Sequence, residues 1–433
     1  MTKSHKQILL FVAFLLLYGV VFYLLWSLQV RHDFPSFYTA ANAYLKGLNP
    51  YEVLRAEFLP IPGKIPANLN PPFFLELIQP LTWIDYPHAL VIWSMLLFCS
   101  GVTGAFLVFK IVFPQDYLKK NWPGLLLAYL ALYSTIMDTV IVQMGAVLFL
   151  FVMSGYYFYI RGRDNLAGIF WGIIIAIKLF PALLFFLAFS QKRYKVVFVM
   201  LATFAVAWAI PLLSHGMSIY SIYFKMMPRI LWFGDSWNAS FNGFLYRIFV
   251  DVSDKTQSLL QIQTVYITLF TLTLLWYLRT IYSAKTRASN HGTFCLTLAM
   301  MLFMSPLGWM YYFSLLIMPL IITWQNLDAT KPAFYKDSAL WICCLFLINF
   351  PLSYIRVQEM SNIFFEAGIC SLHFYGLLIL IYILARYIRQ EKPDVNNNSK
   401  ATHIYLFYPI VNILAFSFIA ALSGFLIYLA SSS

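Results

Sequence analysis

Apolar runs long enough to cross a bilayer recur along almost the whole chain, and they leave few folds open. The first extends from Ile8 to Leu28 without a charged residue. A helix crosses a hydrocarbon core about 30 Å thick in about 20 residues. Runs near 8–28, 88–112, 123–139, 141–160, 195–213, 258–280, 292–306, 309–324, 338–354, 367–386 and 404–429 predict 11 full spans. Hydrophobic residues are 61% of the 433 and charged residues 11%, against about 25% charged in an ordinary globular domain. A soluble body of this size cannot hide so much apolar surface. The expected class is an all-α polytopic integral membrane protein, one domain over 1–433. Soluble enzymes, disulfide scaffolds and disordered chains are excluded. So is a transmembrane β-barrel, which would alternate apolar and polar residues in segments of about ten.

The net charge of +12 would suit a nucleic-acid partner, but its distribution reads as topology. With the N-terminus in the cytoplasm, nine basic residues fall outside: Arg31, Lys46, Arg55, Lys64, Lys225, Arg229, Arg247, Lys255 and Arg356. Lys178 stands alone inside an apolar stretch, and the other 19 of the 29 Lys and Arg fall on the cytoplasmic side. That is the positive-inside bias, so no nucleic-acid partner is expected. Lys3 and Lys6 precede the first run as in a signal peptide, yet no small-x-small cleavage site follows, and a retained anchor helix is expected. Cys99, Cys295, Cys343, Cys344 and Cys370 all lie in apolar runs and read as small apolar residues. The seven histidines show no paired metal spacing, so neither metal nor cofactor is expected.

The stretch 166–190 breaks the pattern. Arg161 and Arg163 precede it, and Lys192, Arg193 and Lys195 follow it. One full crossing would put one cluster outside, whereas a re-entrant helical hairpin keeps both inside. Pro181 removes a backbone donor and interrupts the helical ladder, so a break is predicted between Lys178 and Pro181, with Lys178 near an outward-pointing tip. A single kinked span is the alternative.

Two long outer loops are expected, 29–87 and 214–257, and a hydrophilic cytoplasmic linker at 387–403. The first loop carries eight prolines between Pro35 and Pro80, which fix φ and give a structured loop. Within it, Phe37, Ala40, Ala41 and Tyr44 share a helical face and Gly47 is a plausible C-cap. A helix at the membrane interface is expected there, with Asp33 just before it, either as a functional carboxylate or as an N-cap. Asp138 and Gln143 fall where two spans meet at the outer face. Ionisable groups at depth are costly and therefore functional candidates. The alternatives are a structural Asp138–Lys178 pair and an interhelical hydrogen bond from Gln143. The second loop carries "WFGDSWNASFNGFLYRIF". Arg247 there either binds a phosphate through its fork of donors or snorkels at a helix end. No Gly-rich phosphate loop and no nucleotide-binding domain is visible, which favours a membrane-embedded donor.

These motifs, taken in order, resemble glycosyltransferase family 87, integral membrane enzymes of the C-type glycosyltransferase (GT-C) fold. "DFPSFYTAANAYLKGLNPYE" is similar to the family's first outer loop through Asp33, Tyr38, Ala40, Ala41, Gly47, Asn49, Pro50 and Tyr51. "NPPFFLELIQPL" resembles its Pro-Pro segment. "WGIIIAIKLFPALLFF" resembles its Gly, Lys and Pro hairpin, with Gly172, Lys178 and Pro181. "WNASFNGFLYR" supplies Asn238, Ser240 and Arg247, and "SPLGWMYYF" supplies Ser305, Pro306 and Trp309. Two positions depart: Val142-Gln143 stands where members often carry Gly-Gln, and Tyr311 and Tyr312 stand where members often carry His.

The resemblance implies transfer of a sugar, typically mannose, from a polyprenyl-phosphate donor to a hydroxyl of a glycolipid or glycan acceptor at the outer face. The expected location is a bacterial inner membrane. Under that reading Asp33 is the general base. Arg247 and Lys178 are cations for the leaving phosphate. Tyr38, Asn49, Tyr51, Asp138, Gln143, Asn238, Ser240, Trp309 and Tyr312 are substrate-binding candidates. One loop carboxylate suits an inverting displacement. Two other classes use polar residues in spans: a lipid or glycan transporter or flippase, and a surface-glycan polymerase or ligase. A transporter would show broken helices in two matching halves, and a ligase more than one Arg dedicated to a diphosphate.

Overall fold

The computed structural model describes residues 3–28, 33–56, 63–65, 67–229, 232–250, 259–284, 291–327, 331–352, 363–389 and 409–423. Most of the expected linker at 387–403, and the ends of the span expected at 404–429, lie outside the described residues. Regular structure among them is helical except for one antiparallel ribbon, β1 (Leu54–Ala56) with β2 (Gly63–Ile65), in register Leu54↔Ile65. The chain divides into two compact units. The first holds 1–127, 137–181 and 193–230, the second 128–136, 182–192 and 231–433.

The first unit is built from α1 (Lys3–Leu28), α2 (Asp33–Leu45), α3 (Pro72–Ile78), α4 (Tyr86–Val112), most of α5 (Gln115–Leu130), the end of α6 (Tyr133–Val140), α7 (Gly145–Ile160), α8 (Asp164–Ile177), α10 (Tyr194–His215) and α11 (Ser218–Met226). Its centre is the stack α4, α7, α8 and α10. Small residues set the spacing. A Cβ at Gly168 would come within 2.6 Å of Val199, and one at Gly172 within 2.7 Å of Thr203. The pair, four residues apart on α8, lets α10 approach closely.

α2 forms as its spacing predicts and ends as a Schellman motif. Gly47 takes φ +68, Gly47 N donates to Tyr44 O (3.0 Å) and Leu48 N to Ala43 O (2.9 Å). α2 is buried within the protein along almost its whole length. Phe37 meets Phe74 of α3 edge-on, and Phe34 stacks on Tyr86 and Trp93 of α4. α3, β1 and the 3₁₀ turn Gln79–Trp83 pack on it.

The second unit comprises α9 (Leu183–Ser190), α12 (Phe241–Phe249), α13 (Leu259–Ser283), α14 (His291–Met304), α15 (Ile317–Gln325), α16 (Phe334–Ile348), α17 (Ile363–Ala367), α18 (Leu372–Arg389) and α19 (Pro409–Ser423). α14 and α16 pack on α18, and α15 and α9 on α14. Tyr277 and Thr297 share a 2.8 Å hydrogen bond between α13 and α14, and Trp341 Nε1 donates to Thr323 (3.1 Å). All five cysteines are free thiols.

Among the described residues, four helical stretches are long and apolar enough to cross a membrane: Tyr86–Val112, Tyr194–His215, Leu260–Ser283 and Ile363–Arg389. The pair α5 and α6, bent by 62°, makes a fifth if counted as one span. The described helices therefore do not reach the expected 11 full spans. Several expected spans are shorter, such as α7 with 16 residues and α14 with 14. The apolar composition runs on through turns at 131–132, 141–144 and 305–309, so hydropathy alone joins what the backbone breaks. The break expected between Lys178 and Pro181 is present: α8 ends at Ile177, Lys178 is extended (φ −142°, ψ 125°), and a 3₁₀ turn begins at Phe180.

A lipid environment is also written on the surface. Leu213 (86% exposed) and Phe198 (71%) on α10, and Leu260 (70%) and Ile267 (61%) on α13, are among many large apolar side chains left uncovered. Patches of that extent are not tolerated in water; against hydrocarbon they cost nothing. The molecule is an α-helical membrane protein.

Candidate active site

In the first unit the turn between α6 and α7 holds Asp33. Asp33 N donates to Ile141 O (3.1 Å), and Gln143 Nε2 donates to Asp33 Oδ2. Gln143 Oε1 accepts from Met144 N (3.0 Å), which fixes the amide with its NH₂ toward Asp33. Asp138 O accepts from Gln143 N (3.0 Å), and the two Asp138 carboxylate oxygens accept from Gly145 N (2.9 Å) and Ala146 N (2.8 Å). Asp138 thus caps the start of α7 with its carboxyl oxygens. The Asp33 carboxylate and the Lys178 ammonium act on each other through their charges. Removal from water raises the Asp33 carboxyl from 3.8 to about 6, against the lowering effects of the Gln143 hydrogen bond and the Lys178 charge. A carboxyl so placed is mostly ionised at neutrality and half-ionised near pH 6, and it can take up a proton. Contact with Gln143 is not what an N-cap role calls for.

The turn is strained at one residue. Val142 takes φ +56 while buried, and its carbonyl accepts from Trp93 Nε1 (3.3 Å). A β-branched residue in the left-handed region is a genuine outlier. This is the position where the family resemblance expects glycine.

Tyr38, Asn49 and Tyr51 belong to the same unit; the two tyrosines are buried and Asn49 is partly exposed. Tyr38 OH donates to Ile84 O (2.8 Å) and Tyr51 OH to Asn70 O (3.1 Å). Asn49 Oδ1 accepts from Tyr51 N (3.0 Å) and its Nδ2 donates to Glu52 (2.7 Å), shaping the turn after α2.

The second unit gathers the other candidates. The segments "WNAS" and "SPLGW", distant in sequence, meet through an antiparallel bridge, Asn238↔Trp309. Ala239 N donates to Gly308 O (2.9 Å) and Met310 N to Trp237 O (2.8 Å). Asn238 is the rivet. Its Nδ2 donates to Phe233 O (2.8 Å) and Pro306 O (2.9 Å), and its Oδ1 accepts from Gly308 N (2.9 Å) and Ser240 N (3.2 Å). Ser240 Oγ caps α12 by accepting from Gly243 N (3.0 Å). Only glycine fits at 308, where a Cβ would stand 2.1 Å from Leu302 O. Both Asn238 and Ser240 are fully buried, with these groups engaged inside the protein. Trp309 stacks on Tyr311, and Tyr311 meets Tyr312 edge-on.

Arg247 rises from α12 behind this junction. Its Nε donates to Ser371 Oγ (2.9 Å), and its Nη1 to Asp235 O (2.8 Å) and Asn238 O (2.9 Å). Its buried Nη2 has no hydrogen-bond partner among the described residues. Burial lowers the guanidinium to about 10, so it keeps its charge at neutral pH. Ser371 and the buried His373, near the start of α18, were not foreseen from the sequence. The signal was there: "CSLH" places polar groups inside an apolar run, where they are functional candidates by default.

The family model of glycosyltransferase family 87 matches residues 68–325, more than half of the 433. The chain belongs to glycosyltransferase family 87. The match includes Asp138, Gln143, Lys178, Asn238, Ser240, Arg247, Trp309 and Tyr312, and it begins after Asp33. No curated protein matches the chain. This family-87 chain is therefore a membrane glycosyltransferase, acting between a sugar donor and a glycan acceptor. Among its described residues no group of three or more His, Cys, Asp or Glu side chains could hold a metal ion.

Proposed function

We propose that this family-87 enzyme transfers a hexose, mannose by the family resemblance, from a polyprenyl-phosphate donor to an acceptor hydroxyl, with inversion and without a metal. The observation that carries the reading is the Asp33 carboxyl: dehydrated, held by Gln143, acted on by Lys178 and raised to about 6. Asp33 takes the acceptor O–H proton as the oxygen attacks the anomeric carbon. The bond from that carbon to the phosphate oxygen breaks, and its electron pair leaves with polyprenyl phosphate. Asp33 then returns the proton to water. The leaving phosphate gains negative charge, and fixed cations stabilise it without reorganisation. Lys178, in the same unit as Asp33, is suited to that task. Arg247, in the second unit, is charged and has Nη2 unengaged among the described residues, which suits it to bind a phosphate.

The GT-C architecture, the bacterial inner membrane and a site facing the exterior belong to the same proposal, supported by the charge asymmetry of the sequence. The test is a transfer assay with purified protein and labelled polyprenyl-phosphate mannose. Label passing into a glycolipid or glycan, in wild type and not in Asp33→Asn, is expected. Transfer from a nucleotide-linked sugar in the absence of polyprenyl phosphate would overturn the donor assignment.

A further inference from the structure

The four-residue turn 141–144 does more than connect two helices. Asp33 N binds Ile141 O, Gln143 Nε2 binds Asp33 Oδ2, and Asp138 ties the far side of the turn to the first amides of α7. Met144 N, by donating to Gln143 Oε1, forbids the flipped amide. One carboxylate oxygen is thus engaged, while no described side chain hydrogen-bonds Oδ1. The strain held at Val142 sits beside the residue that makes the contact. Functional sites keep such strain when the surroundings over-determine it.

We infer that Gln143 is a positioning residue, not a substrate-binding one: it fixes Asp33 by Oδ2 and presents Oδ1 alone to the acceptor hydroxyl. This rests on the reading of Asp33 as the base. Gln143 also sets how readily Asp33 holds a proton, because its N–H favours the ionised form. The titratable groups acting on or near Asp33 are Lys178 and Asp138. On the elements packed around it stand the phenols of Tyr38 and Tyr86, and burial raises that of Tyr38. Asp85 acts on Tyr38, and Glu76 on Tyr44.

Two variants push in opposite directions. Gln143→Met removes the donor, so the midpoint at which activity is lost on acidification should move up from about 6, with kcat at neutral pH down about 10–100-fold. Gln143→Lys supplies a cationic donor and should move the midpoint down. Acceptor KM should change far less than kcat in both. A turn with only a structural role predicts reduced activity in both variants with the midpoint unmoved, and that result would overturn the inference. If Gln143→Met does not fold, the direction of the Gln143→Lys shift decides alone. The midpoint is also read without turnover, by infrared titration of the protonated-carboxyl band that Asp33→Asn removes. If Asp33→Asn keeps wild-type turnover, the assignment of the base has failed. The infrared shifts still decide whether Gln143 governs Asp33.

Discussion

At the scale of single residues, the carboxyl of Asp33 separates readings that spacing left open. A base must be ionised to accept a proton. With Asp33 raised to about 6, kcat/KM should rise with pH through about 6 and be lost as pH falls below it. A pH-rate profile on the purified enzyme checks this; a midpoint near 4 would mean that the carboxyl is solvated during turnover. Asp33→Asn keeps the shape and the contact with Gln143 but cannot take the proton, and it should lose on the order of 10²–10⁴ in turnover. An N-cap would be indifferent to that change, since Asn caps as well as Asp. Arg247 calls for a different variant. Lys in its place keeps a charge but not the fork that reaches Ser371, Asp235 O and Asn238 O at once. Arg247→Lys should therefore weaken donor use as well as loosen the second unit, read as a raised donor KM and a lowered melting temperature.

Elements bring out what the sequence could not settle. Asn238 makes four buried hydrogen bonds to backbone groups of its own loop and of the turn 306–308. Asn238→Asp deletes two donors and brings a charge into a fully buried site, so it should cost roughly 2–5 kcal/mol, visible as an early melting transition in detergent. An unchanged melting curve would show that the bridge to Trp309 does not depend on it. Val142 supplies a comparison. Val142→Gly loses buried methyl groups but relieves a left-handed strain of about 1–2 kcal/mol, whereas Val152→Gly, in the buried middle of helical α7, loses methyl groups and helix propensity together. The first should lower the melting temperature by less than half as much as the second. α2 and its Gly47 cap were legible because helical spacing and left-handed glycine are local signals. The break at Lys178–Pro181 was legible for the same reason. The roles of Asn238, Ser240 and Asp138 were not. Their partners are backbone groups, and any residue supplies those, so composition carries no trace of the pairing. Ser371 and His373 were missed because they lie beyond the last recognisable motif.

For the whole molecule, hydropathy identified the class but does not place the ends of the helices, because an apolar turn and an apolar helix have the same composition. The environment follows more securely from exposure. α10 and α13 leave most of their apolar side chains uncovered, and such helices remain monodisperse only against lipid or detergent. Orientation is the quantity left for experiment, and the charge asymmetry makes it specific. Leu48, exposed after the cap of α2, is predicted outside; Arg163, exposed between α7 and α8, is predicted in the cytoplasm. In a background with the five native cysteines replaced, Leu48→Cys should react with a membrane-impermeant thiol reagent in intact cells, while Arg163→Cys should react only after permeabilisation. The reverse pattern would put Asp33 on the side of the membrane where nucleotide-activated sugars are made. It would remove the main reason for a lipid-linked donor, because a site in the cytoplasm has soluble donors at hand and a site outside does not.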